Sequence, residues 1–466
     1  MKTTNLLRKC MYVPAAIAFL LSGCSDWVAA PAPVSQLSSS SVYQDDATAS
    51  AAMAGVYIQM MSSASYFASG GAGSITVLAG LSADELESQA TATSGITFYN
   101  NALDRFNTDN ARLWQQAYKT IYYANSVLEG LQKSQSVSQS VRGRLTGEAL
   151  FLRAFCHFYL VNLYGDVPLV LSTDYQHNQT IARAATDSVY AQILSDLTVA
   201  KTALATDFSL DQGQRIRPNA RAVAAFLARV YLYRKEWQKA ADQASELIGA
   251  VSDFQLTAVD SVFLKNSKEA IWQLMPVSPV LNTYEGNTFV LNAAPTSISL
   301  HSGLAKQFLT TDLRNRWIGR VSAQNQLFYF PYKYKIRTGT PVQEYSMVLR
   351  LAEQYLIRAE AYAHLGQNQR AVQDLDHIRQ RAGLVAFGPE ALQLTQEALL
   401  DSVYQQRRLE LFCEWGHRWF DLKRTGHAGR KLTESKSIRW QDSAGLYPIP
   451  DSEIQLNSAL IQNPGY

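Results

Sequence analysis

Apolar positions recur at helical spacing through most of the chain. In "NARLWQQAYKTIYYANSVLEGL", Leu113, Ala117, Ile121, Ala124 and Leu128 share one face, with Trp114, Tyr118 and Val127 beside it. "GEALFLRAFCHFYLVNLYGDVPLV" is apolar nearly all round from Leu150 to Leu163. That predicts a central helix buried on every side and ended by Gly165 and Pro168. "TDSVYAQILSDLTVAKTAL" opens on a Thr186/Asp187 cap signal, then sets Val189, Ile193, Leu197 and Ala200 on one face.

Two later segments repeat one another. "ARVYLYRKEWQKAADQASELI" and "AEAYAHLGQNQRAVQDLDHIR" match at an offset of 131 residues: Ala228 with Ala359, Tyr231 with Tyr362, Ala240 with Ala371. Each reads helix, turn, helix; the alanines permit close helix approach, and Gly366 suits a tight connection. This is the tetratricopeptide pattern, but tandem copies recur at about 34 residues. The spacing here predicts scattered pairs within one mainly α domain, residues 42–466. Its long insertions, 62–110 and 253–350, form a loop-rich face with minor β structure. A shorter insertion covers 387–395. "EAIWQLM" and "LFYFPYKYKI" read as brief strands. Excursions this long are uncommon unless functional, so a ligand is expected on them.

One stretch bears directly on chemistry. "RRLELFCEWGHRWFDLKRTG", Arg407 to Gly426, holds Glu410, Glu414, His417 and Asp421 among arginines. On a single helix, Leu409, Phe412, Cys413, Gly416 and Phe420 form one stripe, and Leu411, Trp415, Trp419 and Leu422 a second. The charges then pair along the helix: Arg407 with Glu410, Glu414 with Arg418, His417 with Asp421, Asp421 with Arg424. Two apolar stripes and paired charges predict a buried structural helix, not two carboxylates facing a substrate.

The amino terminus sets the compartment. Lys2, Arg8 and Lys9 precede an apolar run from Met11 to Leu21, then Leu21-Ser22-Gly23-Cys24. About 10 apolar residues are too few to span a bilayer, which needs roughly 20. Residues 1–23 read as a lipoprotein signal peptide, and the Cys24 thiol as the site of an N-terminal lipid. The Ala/Pro/Ser-rich residues 24–41 read as a flexible tether. Without Lys2, Arg8 and Lys9, Lys+Arg falls from 42 to 39, equal to Asp+Glu. A neutral chain without basic blocks argues against nucleic acid as a partner. Of the 4 cysteines, Cys156 and Cys413 remain, both expected as unpaired core residues.

The sequence contains no H-E-x-x-H, Walker A, G-x-S-x-G or paired C-x-x-C. Its 7 histidines are never four apart. Asp84, Glu85 and Glu87 are the densest acidic group elsewhere and read as a solvated turn or helix start. No catalytic residue, metal site or cofactor is expected, apart from the lipid on Cys24.

Six stretches in order resemble the SusD/RagB family of outer-membrane nutrient-binding lipoproteins. They are the lipobox, "WQQAYKTIYYANSVLEGL", "EALFLRAFCHFYLVNLYGDVPLV", "YLIRAEAYAHLGQ…DLDHIRQRAGL", the 407–426 stretch and "LYPIPDSEIQLNSALIQNPGY". The resemblance implies the SusD-like fold and a lipid anchor in the outer membrane, facing outward. It also implies a SusC-like, TonB-dependent transporter as partner, over which the lipoprotein acts as a hinged lid. The implied ligand is an oligosaccharide or, in the RagB branch, a peptide, and no covalent chemistry is implied. A helical glycoside hydrolase and a purely structural tetratricopeptide adaptor are the alternatives.

Sugar faces stack on aromatic rings while amide and charged side chains bond the hydroxyls. The first insertion offers Phe98, Tyr99, Asn100, Asn101 and Asp104. The second offers Tyr284, Glu285 and Asn287, then Trp317 with Arg314 and Arg316. Trp114, Trp237, Trp415 and Trp419 sit in helical patterns and are expected in the core. For the anchor, Cys24→Ala should move the protein from the membrane to the soluble fraction on cell fractionation; a membrane-bound variant would contradict the lipobox.

Overall fold

The computed structural model describes residues 42–62, 67–90, 94–278, 280–323 and 325–466. The expected leader, Cys24 and the tether lie outside the described residues. After α1 (Asp46–Met61), α2 (Ile75–Ser82), β1 (Leu86–Ser88) and α3 (Ser94–Tyr99) come two long helices, α4 (Thr108–Lys133) and α5 (Gln139–Tyr164). Asn107 and Ser138 cap them, their side chains accepting from Asn110 N and Val141 N. α5 is buried almost continuously from Leu145 to Tyr164, as its all-round apolarity predicts, with charged residues included. Arg153 is tolerated there because it forks onto Asp196 at 2.8 and 2.7 Å and reaches Asn125 at 2.9 Å. Those bonds bolt α5 to α4 and, beyond β2 (Val167–Pro168), α6 (Tyr175–Asn178) and β3 (Arg183–Ala184), to α7 (Thr186–Ala203).

The repeated segments form two helical hairpins, α8 (Ala220–Tyr233) with α9 (Trp237–Gly249), and α12 (Leu351–His364) with α13 (Asn368–Arg381). Ala228, Ala240, Ala359 and Ala371 are fully buried. α9 packs on α12, so units 131 residues apart in sequence are neighbours in space. Gly366 turns the second hairpin at φ +71°.

Between the hairpins lie β4 (Ala270–Leu274), α10 (Tyr284–Phe289), β5 (Ile298–Leu300), α11 (Ser302–Ala305), β6 (Ile318–Ala323), β7 (Gln326–Pro331) and β8 (Ser346–Arg350). β4 pairs with β8, and β1, β5, β7 and β6 form one sheet in that order. The two expected strands are β4 and β7. α2 was not expected; "ITVLAGLS" is buried at every position, so it carries no polar stripe to mark it as a helix. α14 (Gln396–Leu411), α15 (His417–Arg424), α16 (Ala428–Lys436) and α17 (Asp451–Leu456) complete the chain. Cys156 and Cys413 are free and buried.

The 407–426 stretch is two helices, not the single helix expected. Cys413, Trp415 and Gly416 take positive φ of 51°, 47° and 72°, breaking the chain between α14 and α15. A left-handed non-glycine residue costs on the order of 1–2 kcal/mol. Tertiary bonds offset that cost: Cys413 N donates to Glu85 Oε2 at 3.1 Å and Trp415 N to Thr76 Oγ1 at 3.1 Å. A Cβ on Gly416 would collide with Ala79 of α2, so this turn needs glycine for space as well as for φ.

The stretch is buried as expected, but most partners are distant in sequence. Arg350, 1% exposed, donates to Glu269 at 2.8 Å, Glu410 at 2.6 Å and Glu414 at 2.8 Å. Lys333 joins Glu414 at 2.5 Å, and Arg314 and Arg381 join Glu410. Glu414 therefore pairs with Lys333 and Arg350, not Arg418, which instead holds Asp84 at 2.7 Å. Arg407 pairs with Asp421 at 2.7 Å. His417 lies 4.0 Å from Glu353, not against Asp421, and burial holds its imidazole well below the usual range, hence neutral. Only the Asp421–Arg424 pair is as expected, at 2.7 Å. Burial alone would raise the Glu414 carboxyl; Arg350 and Lys333 outweigh it and hold the group ionised. Glu414→Ala takes the paired carboxylate from buried Lys333 and one of three from buried Arg350, and should lower stability by about 3–5 kcal/mol in urea unfolding. A loss below about 0.5 kcal/mol would contradict this packing.

Candidate functional site

The two insertions meet edge to edge. β1 runs antiparallel to β5, with Leu86 opposite Leu300 and Ser88 opposite Ile298, and Gln89 N continues the ladder to Ser297 O at 2.7 Å. Chain leaving the end of β1 and chain entering β5 therefore emerge at the same end of this pair. The first carries Tyr99 to Asp104, the second Tyr284 and Asn287.

The first segment is held from below by the carboxyl-terminal region. Arg418 and Arg408 grip Asp84 at 2.7 and 2.6 Å, and Lys436 donates to Leu81 O, Ser82 O and Tyr99 O at 2.6, 3.0 and 2.8 Å. Asn101 accepts from Lys436 at 3.1 Å and donates to Ser82 O at 2.9 Å. Tyr99 is half-buried with the Lys436 ammonium 4.9 Å from its ring centre. Asn100 and Asp104 are exposed. Phe98 is fully buried, its ring 5.3 Å from Tyr447, so it is a core side chain and not a ligand-facing one. Phe106, not singled out from the sequence, is 65% exposed. The Asp104 carboxylate accepts from Phe106 N at 2.7 Å, and the Arg105 guanidinium sits 4.9 Å from the Phe106 ring. The run Asp104-Arg105-Phe106, a turn-forming acid before an aromatic, was the available signal.

On the second segment, Thr283 caps α10 by accepting from Gly286 N at 2.9 Å. Tyr284 is half-buried and Asn287 exposed. Glu285 points inward beneath Gly70, is 4% exposed and accepts from Ser346. Burial pushes its carboxyl up to about 7. Trp317 is fully buried and donates to Val259 O at 2.9 Å, with the Lys333 ammonium 5.0 Å from its ring. It stacks on no ligand; it shields the buried ion cluster. Arg314 is equally buried, on Asp312, Gln406 and Glu410. Arg316 is exposed and pairs with Asp260 at 2.7 Å.

Two other expectations are corrected. Asp84 and Glu85 are each 1% exposed, not a solvated turn. Burial would raise Asp84, but Arg418 and Arg408 hold it below the usual carboxylate range; Glu85, without such a partner, is pushed by burial up to about 8. Trp237 is only partly buried and stacks on His364 with ring centres 3.8 Å apart, whereas Trp114, Trp415 and Trp419 are in the core. Among the described residues no group of His, Cys, Asp or Glu is arranged to hold a metal ion, and no helix is long and apolar enough to cross a membrane.

What this arrangement provides is a set of half-exposed rings beside amide and carboxylate groups, on segments anchored to a rigid back.

Comparison with known proteins agrees. Residues 58–232 match a SusD-like family described as starch-binding and associating with the outer membrane, and residues 319–466 match the SusD family. The chain belongs to the SusD/RagB family, a family of binding proteins. SusD-like protein P2 of Formosa agariphila is 26% identical over 96% of this chain and 97% of its own. A SusD-like protein of Bacteroides ovatus is 25% identical over 88% and 81%. Among solved structures, a SusD superfamily protein of Bacteroides vulgatus superposes with a TM-score of 0.79 at 20% identity, over 91% of this chain and all of its own. A laminarin-binding SusD-like protein superposes with a TM-score of 0.75 at 25% identity, over 91% of this chain and all of its own. Surface glycan-binding protein A of Bacteroides uniformis gives 0.76 at 20% identity, over 90% and 99%.

The buried acids generate a pH prediction. Glu85 and Glu285 have folded values of about 8 and about 7 against an ordinary 4.5, so between about pH 4.5 and 8 these two groups hold more protons in the folded chain than in the unfolded one. Their contribution to stability therefore declines as pH rises through that window. The unfolding midpoint of Glu285→Gln should depend less steeply on rising pH than that of the parent chain. Parallel curves would contradict the burial of an unpaired carboxyl.

Proposed function

We propose that this protein captures an oligosaccharide at the cell surface and hands it to a SusC-like, TonB-dependent outer-membrane transporter, without altering the sugar covalently. The observation that carries this reading is the pairing of β1 with β5, which joins the two insertions at one sheet end, with partly exposed Tyr99 and exposed Phe106 following β1 in the chain and partly exposed Tyr284 and exposed Asn287 preceding β5. Rings offer the apolar face that sugar C–H bonds need, and the amides and carboxylate offer partners for hydroxyls. Solved relatives named for laminarin and glycan binding share the fold over about nine tenths of this chain, which supports a saccharide over a peptide. A lipid on Cys24, through the tether 24–41, would hold this face outside the outer membrane beside the transporter. The glycosidase alternative has no support in the exposed chemistry, since the dense carboxylates near the carboxyl terminus are sealed by arginines.

Calorimetry with laminarin and starch oligosaccharides, and with a peptide panel, tests the proposal. Saccharide should bind, and replacing Tyr99 and Tyr284 together by alanine should weaken it by about tenfold or more, each lost ring contact being worth about 0.5–1.5 kcal/mol beyond its buried area. Peptide binding with no saccharide response, or new reducing ends on incubation, would overturn it.

A further inference from the structure

Half-way along α4 the same helix borders a second groove. An open cavity of about 540 Å³ is lined by Tyr43, Tyr122, Ser126, Glu129 and Lys133 of α4 and the segment before α1, with Thr173 opposite. A neighbouring cavity of about 370 Å³ shares Tyr43 and Ser126 and adds Tyr123. The two adjoin along the seam of α1 and α4, with Tyr43 and Ser126 lining both, and together are called the trough. At 1.5 Å per residue, Tyr122 to Lys133 lie roughly 24–40 Å along α4 from Phe106, so the trough is separate from that residue's end of the helix.

The walls are built, not incidental. The Tyr43 ring lies against Gly130, where any Cβ would collide with it. Its hydroxyl donates to Ser126 O at 3.3 Å, and Ser134 Oγ donates to Tyr43 O at 2.7 Å. Both Glu129 oxygens accept from Thr173, at 2.7 Å from its N–H and 2.6 Å from its hydroxyl. Tyr122 is 49% exposed and touches only the edge of Tyr123, 5.9 Å away between centres. Lys133 is exposed and has no ion-pair or hydrogen-bond partner among the described residues.

We infer that this trough is a second saccharide-binding site, taking an extended oligosaccharide whose rings lie on Tyr43 and Tyr122. Its hydroxyls meet the Lys133 ammonium and the Glu129–Thr173 pair. The larger cavity sets ring faces beside hydroxyl, ammonium and carboxylate groups, and the smaller one beyond Tyr43 adds an apolar wall of Val42, Ala52, Val56 and Val127. Rings beside polar groups suit a chain that is apolar on its faces and polar at its edges. The inference rests on the reading of the ligand as a saccharide. A chain bound at both places would be held at two points, which raises the effective affinity for long glycans over short ones.

The test is calorimetry of the full chain with laminarihexaose and maltohexaose, comparing the parent with Tyr122→Ala/Lys133→Ala and with Tyr99→Ala/Tyr284→Ala. Tyr122 and Lys133 are exposed, and an unchanged unfolding midpoint checks that the variant keeps the fold. The parent should show two binding events. The first variant should lose one, with affinity there falling about tenfold or more, and the second variant should lose the other. An isotherm for Tyr122→Ala/Lys133→Ala identical to the parent's would overturn the inference. So would occupation of the trough by a peptide of sequence VAAPAPVSQLSSSS with no saccharide response there. If the trough event survives while the loop-face variant changes nothing, the proposed loop site fails and this one stands.

Discussion

Arg350 is the residue on which the architecture turns. It ends β8, precedes α12 and, with 1% of its surface exposed, donates to three carboxylates, Glu269 beside β4 and Glu410 and Glu414 at the end of α14 and beyond. Burying a guanidinium costs several kcal/mol, recovered only when its geometry is met in full. Here four cations, Arg314, Lys333, Arg350 and Arg381, meet four carboxylates, Glu269, Asp312, Glu410 and Glu414. The cluster is neutral as a whole, and its members come from the second insertion, α13 and the α14–α15 junction. It forms only when all of these are correctly placed, so it specifies one arrangement more than it adds net stability.

The functional consequence runs outward from that cluster. The same junction that satisfies Arg350 also grips Asp84 and Glu85, at the root of the first insertion, through Arg408, Arg418 and Cys413 N. Lys436, shortly after, ties down the carbonyls around Tyr99. A stretch whose composition suggests catalysis is thus the staple that holds the root of the first insertion and, through Arg350 and Lys333, the second. Helical hairpins provide a stiff back, and the rings beyond the staple remain partly exposed.

Much of this was legible in the sequence because helical periodicity records burial directly. The all-round apolarity of Leu150 to Leu163 and the matched alanines of the two hairpins needed no tertiary information. The 412–416 break was illegible for the opposite reason: its donors find Glu85 and Thr76, more than 300 residues away, so continuous apolar stripes looked like continuous helix. Charge pairing showed the same limit. Spacing of three or four gave Asp421 with Arg424 but not Glu414 with Lys333, because a buried helix end can be served by any element packed on it. In the insertions, with no periodicity, Phe98 and Trp317 could not be told from Tyr99 and Phe106; exposure there follows from sheet pairing and from Lys436, not from local pattern. Asp84 looked solvated because the arginines that bury it lie at the far end of the chain.

The central claim is that a locked helical back presents a ligand on the two joined insertions. Hydrogen–deuterium exchange with and without a bound oligosaccharide tests it most directly. The account predicts slowed exchange at residues 94–107 and 284–297 on ligand addition, with the 407–426 stretch already slow and unchanged. Ligand-dependent slowing confined to 407–426, with both insertions unaffected, would contradict it.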